Sequence, residues 1–451
     1  MHDLTQGSTL RHLLRMAVPM AIGMVFQTLY VLVDLYFVAQ LGDTAIAGVS
    51  AAGNVQFLVM ALTQVLGVGT MALIAQAAGR KDRDDANAVF NQSLTLAGAC
   101  ALLTLLGGYA LTAAYMRRLG ADAATVQAGT IYLFAFLPGL ALQFALVTMG
   151  SALRGTGVAQ PTMVVQLLTV ILNAVLAPIL IAGWLTGRPL GVVGAGLASS
   201  ISIAAGVAMM TWYFARLESY VAVDRRQLRP RWAIWRRILR IGLPPGGEFA
   251  LMFVYMGVIY AVIGSFGAAA QAGFGVGSRV MQAIFLPAIA LAFACAPIAA
   301  QNVGAGQPAR VREVFRTAAV TGSAIMLGLT LFCQWRPAWF IGGFTDEPEV
   351  IAVGAQFLRI ISWNFVASGL VFICSGMFQA LGNTMPALLS SASRFFTFVL
   401  PVLWLAAQPG FSLRQVWLAS VASVTLQALL SLALLAREWR RRLPTGAPSP
   451  A

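Results

Sequence analysis

Two halves of the chain repeat each other at a fixed offset. Pro19 pairs with Pro244 in the openings LLRMAVP and ILRIGLP, which lie 225 residues apart in a chain of 451. The same offset pairs Gly157 with Gly382 in the turns ALRGTGVAQP and FQALGNTMP. Each half is therefore a copy of one unit. A duplicated chain as apolar as this one is typical of a transporter whose two bundles move against each other around a central site.

The composition excludes a soluble protein. Hydrophobic residues make up 59% of the chain and charged residues 10%, against roughly 25% charged residues in soluble domains. Long apolar runs predict about twelve membrane-spanning helices. Their approximate bounds are 13–39, 44–78, 87–112, 127–152, 161–184, 190–217, 238–265, 269–302, 311–336, 350–380, 386–406 and 412–437. The expected fold class is an all-α integral membrane protein with two pseudo-symmetric six-helix bundles.

The spans divide the chain into three parts. We expect an N-terminal bundle over 1–217, a polar linker over 218–237 and a C-terminal bundle over 238–451. Because each half has an even number of spans, the two copies should be parallel, related by an axis along the membrane normal. The first apolar run is too long for a signal peptide, so it should remain as helix one. Gly79 and Gly304 are expected to cap helices two and eight.

The net charge of +14 follows the positive-inside rule rather than a nucleic-acid pattern. Of the 29 Lys and Arg residues, 21 fall on the side of the N-terminus, five fall on the other side, and three lie in predicted spans. This asymmetry places both termini in the cytoplasm and leaves basic residues to meet anionic lipid. Of the three in spans, Arg359 and Arg394 lie near span ends and should extend to the interface. Arg279 could reach a carboxylate or line a cavity.

Several segments resemble the multidrug and toxic compound extrusion (MATE) family, in particular its DinF-like bacterial branch. They are MAVPMAIGMVFQTLYVLVDLYFVAQLG, GVGTMALIAQAAG with APIAAQNVGAG, the two turns quoted above, and VVGAGLASS. Their order, spacing and duplication cover nearly the whole chain. The resemblance implies an efflux antiporter of the bacterial inner membrane, working as a monomer, that exports organic, often cationic compounds in exchange for H⁺ or Na⁺. It implies no enzymatic activity and no cofactor.

Two carboxylates carry the chemistry that the sequence allows. Of fifteen acidic residues, only Asp34 and Glu248 lie well inside predicted spans, where a charged side chain costs roughly 2.5–3.5 kcal/mol on insertion scales. Asp34 matches the acidic residue of the family's first helix, and the resemblance makes it the coupling carboxylate. Gln27, Tyr30 and Asp34 follow one another at i, i+3 and i+7, so they share one helix face. That face should offer hydrogen bonds to Asp34 and to the substrate.

The resemblance adds neutral residues to this cluster and shows a departure from the family pattern. It implies that Asn173 on helix five and the hydroxyl of Ser199 on helix six belong to the same cluster as Asp34. The branch usually has a second Asp four residues after the Asn, where this chain has Ala177. Asp34 would therefore act with neutral helpers only, which slightly favours H⁺ over Na⁺.

Glu248 is the second candidate for ion coupling. Some family members have a Glu eight residues after the opening Pro of helix seven, where this chain has Met252. Glu248 instead follows Pro244 by four residues, and Asp34 follows its own Pro by fifteen. The difference is roughly 16 Å along a helix, so the two carboxylates should not be in contact. Our hypothesis is that Glu248 attracts cationic substrate or relays protons. Tyr30 and Met252 are expected to contact the substrate.

Other functions remain as alternatives. A flippase for lipid-linked oligosaccharides in the same superfamily should have several Arg or Lys residues in its spans, and only Arg279 is a good candidate. A membrane enzyme or a metal site would need a His, Cys or acidic cluster, but both histidines lie near the N-terminus and the four cysteines stand singly. A passive channel does not need a duplicated, moving architecture. The sequence leaves the natural substrate open.

Overall fold

The structure is a computed structural model that describes residues 2–119, 122–185, 187–218 and 220–443. The chain forms two compact units. One comprises Ile22–Gly242, and the other comprises residues 243–443 together with Leu4–Ala21. The expected division at 217 and 238 therefore differs from the observed one. The linker belongs with the first unit, and the first turns of helix one belong with the second unit.

The first half of the chain forms the expected helices, several of them longer than their apolar runs. They are α1 (Thr9–Ala39), α2 (Asp43–Gly79), α3 (Arg83–Leu119), α4 (Ala123–Gly155), α5 (Gln160–Ile181) and α6 (Val192–Arg216). A single 3₁₀ turn at Arg225–Gln227 precedes α7 (Trp232–Gly264), so the last six residues of the expected linker are helical.

The second half continues with shorter and broken helices. They are α8 (Ala268–Gly304), α9 (Pro308–Trp335), α10 (Pro337–Gly342), α11 (Pro348–Ile361), α12 (Asn364–Ala380), α13 (Met385–Arg394), α14 (Leu400–Ala406) and α15 (Leu413–Arg442). Among the described residues, eleven helical segments are long and apolar enough to cross a membrane, and the bent pair α11–α12 gives a twelfth. The expected all-α membrane fold is confirmed.

Glycines at equivalent turns show the repeat in the backbone. Gly42 before α2 has φ 102°, and Gly267 before α8 has φ 96°. Gly157 after α4 has φ 80°, and Gly382 after α12 has φ 71°. L-residues with a side chain rarely adopt these left-handed angles. Both copies therefore need glycine where the chain reverses.

The expected helix caps at Gly79 and Gly304 are wrong by two residues. Both glycines are the last residues of their helices, and the left-handed residues are Lys81 (φ 58°) and Gly306 (φ 67°). The N–H of Lys81 donates to the carbonyl of Ala78, and the next N–H donates to the carbonyl before it. This is the Schellman pattern, which places the left-handed residue beyond the helix end.

Each unit has its own aromatic core. In the first unit Phe90 stacks on Phe214, with ring centroids 4.8 Å apart. In the second unit Trp417 lies 5.7 Å from Phe274 and 4.9 Å from Phe357. These contacts join α3 to α6, and α8 and α11 to α15. Of the helices that carry expected site residues, α6 (Ser199) and α8 (Arg279) take part in these contacts.

The span that the sequence predicts over 350–380 is broken into two helices. α11 and α12 meet at an angle of 58°, with no proline or glycine at the break. Side chains of α9 bind the carbonyls there: Gln334 donates to Arg359 at 2.6 Å and Thr330 donates to Ser362 at 2.9 Å. Because these donors replace helical N–H groups, the helix bends without leaving buried carbonyls unpaired.

The span predicted over 386–406 contains a π turn at Phe395–Val399, between α13 and α14. Pro401 has no N–H to give to the helix, and the N–H of Leu400 donates to the carbonyl five residues earlier. Such a turn inserts one extra residue into the helix. Arg394 stands directly before it, in the middle of a 22-residue span. The expectation that Arg394 lies near a span end is therefore wrong.

Side chains of α3 hold the segment over residues 220–231, the connecting segment, by its backbone. The Asn91 amide donates to the Ala222 carbonyl at 3.0 Å and accepts from the Asp224 N–H at 2.8 Å. The Gln92 amide donates to two later carbonyls at 2.5 and 2.7 Å and accepts one N–H at 2.8 Å. Both amides are fully buried, so the segment is packed into the first unit.

Candidate ion-coupling and substrate site

Asp34 lies on α1, inside the first unit, with 9% of its surface exposed. The Tyr132 hydroxyl of α4 forms a hydrogen bond to the carboxylate. Within the described residues, the Asp34 Oδ1 atom is buried and has no hydrogen-bond partner. Buried polar atoms without a partner are rare in folded proteins. The carboxylate therefore keeps one position open for a proton, an ion or a ligand.

Tyr30 and Ser199 lie beside this carboxylate. Tyr30 is one turn before Asp34 on α1, and its hydroxyl interacts with both Asp34 and Ser199 of α6. The two hydroxyls face each other without a well-aligned hydrogen bond, and both oxygens are buried. The sequence analysis expected Tyr30 and Ser199 in this cluster but missed Tyr132. A hydroxyl-bearing aromatic residue inside a span was the available signal, because a buried Tyr needs a partner.

Asn173 is the remaining expected residue of the first unit. It lies on α5, is fully buried, and within the described residues neither atom of its amide has a hydrogen-bond partner. It therefore makes no hydrogen bond to Asp34 in this structure. Ala177, one turn further, is also fully buried. A second carboxylate at that place would lie in the interior of the unit, and none is present.

Glu248 belongs to a separate polar cluster in the second unit. Its Oε2 atom accepts from the Ser391 hydroxyl of α13 at 3.3 Å, while its Oε1 atom is buried without a partner among the described residues. Gln427 of α15 donates to the same Ser391 hydroxyl at 3.4 Å. Tyr255 donates to the Ser391 carbonyl at 2.6 Å. Sequence reasoning missed Ser391 and Gln427, since no spacing rule connects them to α7.

Arg394 is the other charged residue of this cluster. Its guanidinium carbon lies 5.2 Å from the ring centroid of Tyr255 and 5.5 Å from that of Phe398. Its Nε atom is buried without a partner in the described part of the chain. Contact with two aromatic faces stabilises a cation by the ring quadrupoles. In the second unit a guanidinium on α13 therefore lies one turn from Ser391, the residue that binds the Glu248 carboxylate of α7.

The repeat relates the two clusters to each other. The 225-residue offset pairs Tyr30 with Tyr255, and it pairs Asp34 with Ile259, an apolar residue. Glu248 corresponds to Gly23, where any side chain would contact Oε1 of Gln166. The counterpart of Gln166 is Ser391, the residue that binds Glu248. A long polar side chain therefore stands on the fifth helix in the first half and on the first helix in the second half.

Three expected site residues lie outside both clusters. Gln27 is exposed, although it shares a helical face with the buried Asp34. Met252 is 47% exposed. Arg279 is exposed on α8 and forms no ion pair with any described residue. Within the described residues, no group of three or more His, Cys, Asp or Glu residues could hold a metal ion.

Comparisons with known proteins give the family. The MatE family model matches residues 19–179 and 244–405, and the two matches begin one repeat apart. The probable multidrug resistance protein YoeA of Bacillus subtilis is 25% identical over 437 residues, which are 94% of this chain and 93% of YoeA. The multidrug export protein MepA of Staphylococcus aureus is 26% identical over 405 residues, which are 87% of this chain and 86% of MepA.

A solved structure agrees over the same length. The outward-facing conformation of a multidrug resistance MATE family transporter of the MOP superfamily has a TM-score of 0.91 and 25% identity, and the match covers 98% of each chain. The family match therefore includes both halves, the helices that carry Asp34 and Glu248, and the order of the spans. The chain is a multi-pass membrane protein that belongs to the MatE family, a family of transporters rather than enzymes.

Proposed function

We propose that the protein is a secondary active antiporter that exports small organic compounds, cationic ones in particular, in exchange for H⁺ or Na⁺. The names of YoeA and MepA, a probable multidrug resistance protein and a multidrug export protein, support an efflux role. The observation that carries the proposal is the buried Asp34 carboxylate with one unpaired oxygen. Such a group is costly in its charged form, so it is suited to alternate between an empty state and an ion-bound state.

The groups around Asp34 favour H⁺ as the coupling ion. Tyr132 donates one hydrogen bond, and the neutral hydroxyls of Tyr30 and Ser199 lie nearby. Hard metal cations take several oxygen ligands, and Ala177 stands where a second carboxylate would be. A single carboxylate among hydroxyls can release and take up a proton without rearranging a coordination shell. Proton uptake would then weaken the attraction for a cationic substrate and promote its release by alternating access.

Glu248 serves the second unit in this proposal. Its unpaired Oε1 atom can attract an organic cation or accept a proton, while Ser391 holds Oε2 in place. The role is that of a helper rather than of the coupling site, because the repeat equivalent of Asp34 in this half is apolar. Replacement of Glu248 by Gln should therefore weaken transport of cations without abolishing the response to the gradient. If transport and its pH dependence both stay intact, Glu248 has no role in either.

The decisive experiment measures efflux of ethidium, a fluorescent organic cation, in proteoliposomes under imposed H⁺ or Na⁺ gradients. The wild type should follow the H⁺ gradient, and Asp34→Asn should abolish transport. Asp43→Asn is the matched control, because Asp43 is exposed in the first turn of α2. Transport that follows the Na⁺ gradient would identify the other ion. Gradient-driven transport by Asp34→Asn would overturn the assignment of Asp34.

A flippase or exporter of lipid-linked or polar metabolites is the second candidate. The observation that favours it is Arg394, a cation held in the middle of a span by two aromatic rings. Such a residue fits an anionic phosphate better than an organic cation. A folded protein that moves no ethidium under either gradient would direct the test to lipid-linked substrates.

We also propose the bacterial inner membrane as the location, with both termini in the cytoplasm and a monomer as the working unit. The excess of Lys and Arg on the side of the N-terminus supports this orientation. Single cysteines introduced into the loops of the protein and labelled in spheroplasts would test the orientation directly.

A further inference from the structure

The connecting segment carries a groove lined by three arginines. Arg225, Arg226 and Arg229 surround an open cavity of about 420 Å³, and all three are exposed. No described residue forms an ion pair with any of them. We call this cavity the arginine groove. It concentrates three positive charges that the protein itself does not neutralise.

The carboxylates nearest in sequence are occupied elsewhere. Asp224 accepts a hydrogen bond from the backbone N–H of Arg226 at 2.9 Å and so caps the 3₁₀ turn. Glu218 accepts from the backbone N–H of Tyr220 at 2.9 Å. Because both acids bind backbone donors, the guanidinium groups remain available for a ligand from outside the chain.

The groove is preorganised by α3. Gln92 binds the carbonyls of Gln227 and Arg229 and the N–H of Arg231. The Thr95 hydroxyl donates to the carbonyl of Leu228 at 3.0 Å. A backbone fixed at these points holds the three side-chain attachment points in place. Less conformational entropy is therefore lost when a ligand binds than in a flexible basic tail.

The position of the groove matches the lipid head groups. α7 begins three residues after Arg229, and its 33 residues span about 50 Å, which exceeds the hydrocarbon core of about 30 Å. Arg236, Arg237 and Arg240 lie in the first turns of α7, so the excess includes this end of the helix. Trp232, 68% exposed in the first turn, has the amphipathic ring that is enriched at this depth. The arginine groove therefore lies where lipid phosphates lie.

We propose that the arginine groove binds the phosphate group of an anionic phospholipid. Guanidinium groups bind phosphate through paired hydrogen bonds as well as by charge. Three arginines exceed what one zwitterionic head group can neutralise, so a lipid with net negative charge is the better ligand. A free phosphate offers the same chemistry but lacks the acyl chains that keep a lipid beside α7.

The test is native mass spectrometry of the purified full chain in mixed micelles of dioleoyl phosphatidylglycerol and dioleoyl phosphatidylcholine. The wild type should retain phosphatidylglycerol preferentially. The triple variant R225Q/R226Q/R229Q should lose roughly tenfold or more in apparent affinity for the first phosphatidylglycerol bound. Should the triple variant not be recovered, the single variant Arg226→Gln should show a smaller loss, roughly threefold.

The matched control is R437Q/R440Q/R441Q, which removes three exposed arginines from the end of α15. It should bind phosphatidylglycerol like the wild type. An equal loss in both triple variants would overturn the proposal, because net charge alone would then explain binding. Unchanged binding by R225Q/R226Q/R229Q would also overturn it. Displacement of the lipid by millimolar inorganic phosphate would show a site for free phosphate instead.

Discussion

Replacement of Gln92 by Leu should release the connecting segment from α3. The substitution keeps the approximate size of a fully buried side chain and removes three hydrogen bonds to the backbone of the segment. Each such bond contributes about 1 kcal/mol net, so about 3 kcal/mol of the free energy of local opening should be lost. Since each 1.4 kcal/mol is a factor of ten, the open population should rise about a hundredfold.

Trypsin measures this opening directly, because it cleaves after arginine except before proline, and the segment offers cleavable bonds after Arg225, Arg226 and Arg231. Cleavage of a locally opened segment follows its open population when reclosing is fast. The rate of cleavage at these three bonds, followed by intact-mass analysis under native conditions, should rise about a hundredfold. Gln127→Leu is the control, because Gln127 is an exposed glutamine on α4. A rate for Gln92→Leu within about threefold of the wild type would refute the reasoning.

Three further predictions concern stability and accessibility. Gly242→Ala should lower the thermal unfolding temperature, because the new Cβ would overlap the backbone oxygen of Val65 at a cost of about 1–3 kcal/mol. Gly257→Ala is the control, because a Cβ there has nothing within contact distance. Equal unfolding temperatures of the two variants would contradict this prediction. Tyr255→Phe should destabilise the second unit by about 1 kcal/mol through loss of its 2.6 Å hydrogen bond to the Ser391 carbonyl of α13, and unchanged unfolding in detergent would count against it. Maleimide should label Cys100 first, since it is half-buried and the other three cysteines are buried; equally fast labelling of a second cysteine would exclude this packing.

The sequence predicts the spans and the repeat because both depend on local composition and spacing. Apolar runs of about twenty residues define the spans, and the paired glycines at 42 and 267 mark turns that require left-handed backbone. The bend between α11 and α12 could not be predicted, because its cause lies on another helix. Thr330 and Gln334 of α9 bind the freed carbonyls, and nothing in the segment itself signals a break.

The candidate site divides in the same way. Asp34 could be found because a lone carboxylate inside a span is costly and therefore conspicuous. Tyr132 could not, because its hydrogen bond to Asp34 depends on how α4 packs against α1. Arg394 was visible as a charge inside a span, but its depth was misjudged because the π turn and the aromatic rings that hold it are tertiary features. The sequence thus shows which charged residues lie inside spans, but it does not show which side chains contact them.

The exchange of polar residues between the halves couples two positions that lie on different helices. A Glu at position 23 and the Gln at position 166 would compete for the same space, whereas Glu248 is accommodated because Ser391 is short. The atom that a side chain at position 23 would meet is the end of the Gln166 side chain, so Gln166 must either move aside or be replaced by a shorter residue. The effects of substitutions at these two positions should therefore be non-additive, and a carboxylate at position 23 would be accommodated better beside a short residue at 166, as Glu248 is beside Ser391.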